Sequence, residues 1–200
     1  MKLLIEAMIQ VFVFTLIPIV TYLIRKRTLK GFLLNLGFKA MPLKHNVLPL
    51  IIGFLIVAVI GLLQVKYINS LSFKETTGLV TQQASQYTFN LKGIIFVLTV
   101  ACIKTALAEE IFFRGFLFNS MIPIVGFLAA NIIQSVLFAA IHFPIITVFG
   151  LKSGLIIMMG PFIVAMLMGY LNHSVYNGSI FPSYILHALG NVISFGSKLF

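Results

Sequence analysis

Acidic side chains are scarce in this chain, with four Asp and Glu against fourteen Lys and Arg in 200 residues. Charged residues of both signs make up only 9%, well under the quarter or so of an ordinary soluble domain, so the soluble globular class is excluded. Cysteine occurs once, as Cys102. That rules out an intrachain disulfide and a clustered thiolate metal site, and Cys102 reads as a small apolar residue within a span. Neither the H-E-x-x-H spacing of a zinc protease nor a G-x-S-x-G nucleophile elbow is present. There is no internal repeat and no low-complexity linker. The net charge of +10 is scattered over short loops and span ends without a basic stripe. It therefore points away from nucleic acid and towards positive-inside topology and contact with anionic lipid.

What the chain has in abundance is apolar sequence, 60% of residues at a mean hydropathy of +1.10. This is the composition of an all-α, polytopic membrane protein forming a single membrane domain over 1–200. A span needs about 20 apolar residues, which gives six candidates: 3–24, 46–65, 93–118, 121–151, 154–171 and 180–200. The first follows one lysine, is longer than a signal-peptide core and has no small-x-small cleavage site before Arg25, so it is read as a retained span. The fourth run of about 31 residues would make ~46 Å of helix against a core of about 30 Å, too much for one upright crossing. Pro123, Gly126, Pro144 and Gly150 mark where it is expected to bend.

Arg25, Lys26, Arg27, Lys30, Lys39 and Lys44 form the densest basic stretch, which assigns the segment between the first two spans to the cytoplasm and the N-terminus to the outside. The polar stretch from Lys66 to Lys92 then falls outside. The excess of lysine over arginine and the short chain lean towards a bacterial cell membrane.

Against this background Glu109 and Glu110 stand out. Glu6 lies near the start of an apolar run and Glu75 in a polar loop, where water solvates a carboxylate. The adjacent pair lies deep in the third span, where a carboxylate costs about 2.5–3.5 kcal/mol on insertion scales and marks a functional site by default. Glu110 and Arg114 are four apart and can neutralise each other. Glu109 is about 100° round the helix from Glu110, free to point elsewhere. Two histidines also fall inside apolar runs, His142 and His187. His187 shares a helical face with Asn191, and His142 shares one with Phe138, Ser135 and Asn131. Asn131, Gln134, Ser135 and Asn172 are expected to be hydrogen-bonding glue between helices. The ionisable groups together with Asn191 are not, since packing rarely needs charge at this depth.

Two chemistries fit such a set, both hydrolytic. In one, a carboxylate in an apolar site acts as general base on water, a histidine shares the proton transfer, and an Asn–His pair donates to the oxyanion. In the other, Glu109, His142 and His187 ligate a zinc ion that activates the water.

In order along the chain, Glu109, Glu110 and Arg114 form Glu-Glu-x-x-x-Arg, Phe138 and His142 form Phe-x-x-x-His, and His187 is followed four residues on by Asn191. With these three motifs the chain resembles the CPBP (CAAX protease and bacteriocin-processing, or Abi) intramembrane endopeptidases over roughly 93–195. The resemblance implies a catalytic core in 93–200, built on four helices, preceded by two spans and loops in 1–92 that carry no motif. It also implies cleavage of a peptide bond in a membrane-associated peptide or protein, with Glu109 and His142 activating water, Glu110 and Arg114 holding the site, and His187 with Asn191 stabilising the oxyanion. The family has been described both as metal-dependent and as glutamate-dependent. The second reading, with no cofactor required, gives every motif residue a role and is preferred over zinc. Prenylated C-termini, bacteriocin leaders and signalling peptides would all suit such a cavity, and bacteriocin or peptide maturation or self-immunity is the expected setting.

The competing reading is a non-catalytic immunity or transport-like protein that uses the polar cluster for binding. A binding pocket would tolerate Gln or Ser where Glu and His stand, and a proton-coupled transporter would show repeated halves or broken helices. For Glu109, His142 and His187 to meet, a turn and an interfacial piece are expected between Gly115 and about Gly126. The fourth crossing then begins near Phe127 to Ala130, and water reaches the site from the cytoplasmic side.

Overall fold

The computed structural model describes residues 2–41, 47–71 and 83–199, and among them there are helices and turns but no strand. His45, Lys44, Glu75 and much of the expected external loop lie outside the described residues. Helix α1 spans Lys2–Lys26, about 37 Å at 1.5 Å per residue and enough to cross the hydrocarbon core. It closes on Arg25 and Lys26. A short helix α2, Phe32–Asn35, lies in the basic connection, and α3 is Val47–Ser70.

The next helical run is unbroken from α4, Leu91–Leu98, through a three-residue α5, Ala108–Glu110, into α6, Asn119–Ala140. Asn90 caps its start, accepting a hydrogen bond from the Gly93 amide at 3.0 Å, as an N-cap should. Between these pieces the backbone widens to π geometry over Thr99–Leu107 and Ile111–Phe118. Such widened turns recur at functional sites, and here they flank Glu109 and Glu110.

Inside α6 the chain breaks at Gly126, with φ 80° and ψ 167°, a region only glycine enters freely. It reverses there. Phe113 meets Phe138 at 5.2 Å between ring centroids and Phe118 meets Phe127 at 6.0 Å, so 127–140 runs back along the preceding helix. Helix α7, Pro144–Tyr170, breaks in the same way at Gly150, with φ 74° and ψ 166°. The turn before that break folds tightly against the turn after it, since a Cβ on Gly154 would sit 2.7 Å from the Cα of Ile146. A third π stretch, Leu171–Val175, and α8, Phe181–Gly196, complete the bundle.

Among the described residues, four helical runs are long and apolar enough to cross a membrane: Lys2–Lys26, Val47–Ser70, Leu91–Ala140 and Pro144–Val175. The reversal at Gly126 divides the third into two antiparallel segments, and the break at Gly150 leaves 151–175 as one long segment. With α8, the polytopic helical bundle has the order of elements expected from the sequence, with the boundaries of the fourth run shifted, since it crosses over 127–140 and not 121–151. The third segment does not turn after Phe118 but continues as helix to Gly126, because nothing in 115–125 leaves helical geometry before the glycine.

The lipid-facing sides of α1 and α3 are apolar and exposed, with Phe12, Leu55 and Leu62 among the residues standing out from the bundle. The interior is joined by both apolar packing and hydrogen bonds. Phe113, Phe138 and Ala165 form one buried cluster, and Phe32, Leu36 and Ile111 another. Asn131 Nδ2 donates to the Met166 carbonyl at 2.9 Å, and Gln134 Nε2 reaches the Ala165 carbonyl and Asn131 Oδ1. Asn172 Nδ2 donates to Ser183 Oγ at 2.7 Å. These contacts tie neighbouring helices together, the role in which polar groups act as glue within membrane bundles.

Candidate active site

The level of Glu110 in the bundle follows from its neighbours. Lys104 Nζ pairs with Glu6 Oε2 at 3.6 Å, and Phe112 packs edge-on against Phe14 at 5.9 Å. Both pairs advance by the same step, so α1 and the third segment run parallel and Glu110 stands level with Phe12, close to the middle of α1. The antiparallel return about Gly126 carries His142 back to the same level, and α8 brings in His187 from a third direction.

Glu110 is completely buried, and its Oε1 accepts two hydrogen bonds, from Arg114 Nη1 at 2.9 Å and from His187 Nδ1 at 2.9 Å. The Arg114 guanidinium is likewise sealed from solvent. Its carbon lies 4.2 Å from the centre of the Phe138 ring, and Nη2 reaches the Met168 sulfur at 3.6 Å. A cation over an aromatic face is held by the ring quadrupole. The motif phenylalanine thus acts as a platform, with the rings of Phe113, His142 and His187 all within 5.7 Å of it, centroid to centroid.

Glu109, about 100° round the helix and free to point elsewhere than Glu110, faces the same imidazole that Glu110 holds. Glu110 holds Nδ1 of His187, while Glu109 Oε2 lies 3.7 Å from Nε2. The two nitrogens of an imidazole lie on different edges of the ring, so one histidine lying across the helix meets two successive side chains. Glu109 and His187 keep 14% and 12% side-chain exposure, against none for Glu110 and Arg114. The cluster therefore has a sealed half and a reachable half.

His142 is half-buried and close enough to Glu109 for their charges to interact. Its Nδ1 lies 3.1 Å from the Phe138 carbonyl. A carbonyl can only accept, so Nδ1 carries the proton and the neutral ring keeps its lone pair on Nε2. Among the described residues no hydrogen bond joins Asn191 to His187. Asn191 Nδ2 donates to Thr105 Oγ1 at 2.8 Å, and that hydroxyl in turn reaches the Val100 and Ala101 carbonyls. Thr105 belongs to none of the three motifs; it stands four residues before Glu109, next to Lys104. Met168 offered no sequence signal at all.

Among the described residues no three His, Cys, Asp or Glu side chains are gathered closely enough to hold a metal ion. Nδ1 of His142 and Nδ1 of His187 are both bonded to protein, which leaves one nitrogen on each ring for any further partner. For Glu109, His142 and His187 to act as a ligand set, those side chains would have to draw closer together than they stand here.

A family model described as type II CAAX prenyl endopeptidase Rce1-like matches residues 91–193. That stretch contains Glu109, Glu110, Arg114, His142, His187 and Asn191. No curated protein and no solved structure matches the chain.

Proposed function

The chain belongs to the type II CAAX prenyl endopeptidase Rce1-like family of membrane endopeptidases, and from that premise we propose that it hydrolyses a peptide bond in a membrane-associated peptide or protein by means of a carboxylate-activated water, with no cofactor required. Glu109 is the general base. It is the carboxylate with an exposed edge, and it has His187 on one side and His142 within electrostatic reach. A water beside it gives its proton to Glu109 as its oxygen attacks the scissile carbonyl carbon. The proton then passes to the leaving amine, directly or through the free Nε2 of His142, and the carbon–nitrogen bond breaks to give an acid and an amine.

Glu110 and Arg114 act differently. Their buried pair fixes the helix at this level, and Glu110 also sets the orientation of His187, much as a buried carboxylate orients the histidine of a hydrolytic triad. In its protonated form His187 donates from Nε2, and with the second amide hydrogen of Asn191 it meets the negative charge that develops on the carbonyl oxygen. The observation that carries this reading is the continuous chain Glu109, His187, Glu110, Arg114, closed at 3.7, 2.9 and 2.9 Å in the middle of an apolar bundle.

Peptide maturation or self-immunity in a bacterial membrane, including bacteriocin processing, is the setting we propose. The test is cleavage of a peptide library by the protein in detergent, with wild type beside Glu109→Gln. A general base contributes about 10²–10⁴-fold, so the variant should lose at least 99% of turnover while remaining folded. Retention of substantial activity would remove Glu109 from that role, and a wild type that cleaves nothing would favour the binding reading.

A further inference from the structure

Two adjoining cavities open at the basic end of the bundle, away from the carboxylate cluster. One, of about 380 Å³, is lined by Lys39, Asn35, Asn119, His173 and Asn177 among others, and the second, of about 190 Å³, by Arg25, Lys26 and Tyr22. Asn35, Asn119 and Pro123 line both, so the two form one groove. We propose that this groove is a binding site for a phosphate-bearing anion, filled in the membrane by the headgroup of an anionic phospholipid.

Three observations carry the assignment. The first is charge: Arg25, Lys26 and Lys39 line the groove, no Asp or Glu does, and none of the three cations has an acidic partner among the described residues. The second is that Lys39 is held in place by the fold. Ser179 Oγ donates to the Lys39 carbonyl at 2.9 Å and the Ile180 amide to the Gly37 carbonyl at 3.0 Å. Gly37, at φ 86°, lies so close that a Cβ there would stand 2.6 Å from the Gly178 carbonyl oxygen. Two connections distant in sequence are thus locked together, and Lys39, Asn35, Asn119 and Asn177 line one space, with the Lys39 ammonium beside Gly178 and one amide hydrogen of Asn119 taken by the Gly115 carbonyl. Ammonium and amide donors together suit phosphate oxygens. The third is the surroundings, which decide between a lipid and an acidic peptide. Exposed apolar side chains stand beside the basic ones, Leu33, Leu34, Ile124 and Leu128 among them, and acyl chains can lie along them below a headgroup seated in the groove.

Native mass spectrometry of the full chain in detergent tests the site, with phosphatidylglycerol and phosphatidylcholine as probes and glycerol 3-phosphate as soluble competitor. Near an anionic surface each basic side chain is worth about a fivefold gain in affinity. The double variant Arg25→Gln/Lys39→Gln should bind phosphatidylglycerol about 25-fold more weakly. Lys152→Gln, an exposed cation beside the Gly150 reversal, should bind it as wild type does. The Lys39 contact to Ser179 is made by the backbone, so the substitution leaves it intact, and an unchanged melting temperature verifies folding. Equal binding of phosphatidylcholine, or an unchanged double variant, overturns the site. Binding of glycerol 3-phosphate as tight as that of the lipid overturns the lipid assignment, as does capture of an acidic peptide in place of phosphatidylglycerol.

Discussion

Replacing Arg114 by alanine removes the guanidinium while leaving the Glu110 carboxylate completely buried. Stranding one partner of a buried ion pair costs about 3–5 kcal/mol. Loss of the cation from the Phe138 face, 4.2 Å away, adds about 1–2 kcal/mol, and the emptied volume beside Met168 adds more. The ion-pair part alone, for a chain of this size, corresponds to a fall in melting temperature of roughly 6–20 °C. Removing both charges is a different perturbation. Glu110→Gln/Arg114→Met leaves no uncompensated ion, and replacing a buried pair by neutral groups is often neutral or stabilising. The double variant should therefore melt near wild type. It should still be inactive, because the carboxylate that holds His187 Nδ1 is gone. Thermal unfolding in detergent, followed with a thiol-reactive dye on Cys102, reads the stability, and peptide cleavage reads the chemistry. An Arg114→Ala protein melting within two or three degrees of wild type would refute the reasoning, and so would a double variant as unstable as the single one.

Thr105→Val should lower kcat about tenfold with little change in KM, since Asn191 loses the acceptor at 2.8 Å that orients its amide and a hydrogen bond is worth about 1–1.5 kcal/mol. Thr105→Ser should restore the rate; an unaffected Val variant would remove Thr105 as a positioning residue. Treatment with a strong chelator should leave cleavage intact, and metal analysis should find no stoichiometric zinc. One zinc per chain, lost in His142 or His187 variants, would overturn the carboxylate-only mechanism. Gly126→Ala meets no atom within 4 Å of its new Cβ, so only backbone strain at φ 80° is tested. It should cost about 1–3 kcal/mol, and a variant as stable as wild type would mean that the reversal is not held at that residue.

The sequence by itself determined that this is a helical membrane protein, because runs of about 20 apolar residues leave the backbone no other way to satisfy itself in lipid. It also determined the Glu110–Arg114 pair, since residues four apart on a helix are neighbours wherever the helix is placed. The helix-joining roles of Asn131 and Asn172 were legible on the same kind of evidence. What crosses between helices was not. That both carboxylates converge on His187, that Asn191 is engaged by Thr105, and that Glu6 pairs with Lys104 instead of standing alone in water depend on how distant segments pack. The π stretches around Glu109 were equally hidden, because hydrophobic spacing in an all-apolar run cannot tell an α turn from a widened one. Gly126 was recognised as a place to bend, but only the tertiary structure decided that the helix runs on past Phe118 to reach it. A glycine permits a reversal, and whether the chain takes it depends on the partners that the returning segment finds, here Phe113 and Phe118 meeting Phe138 and Phe127.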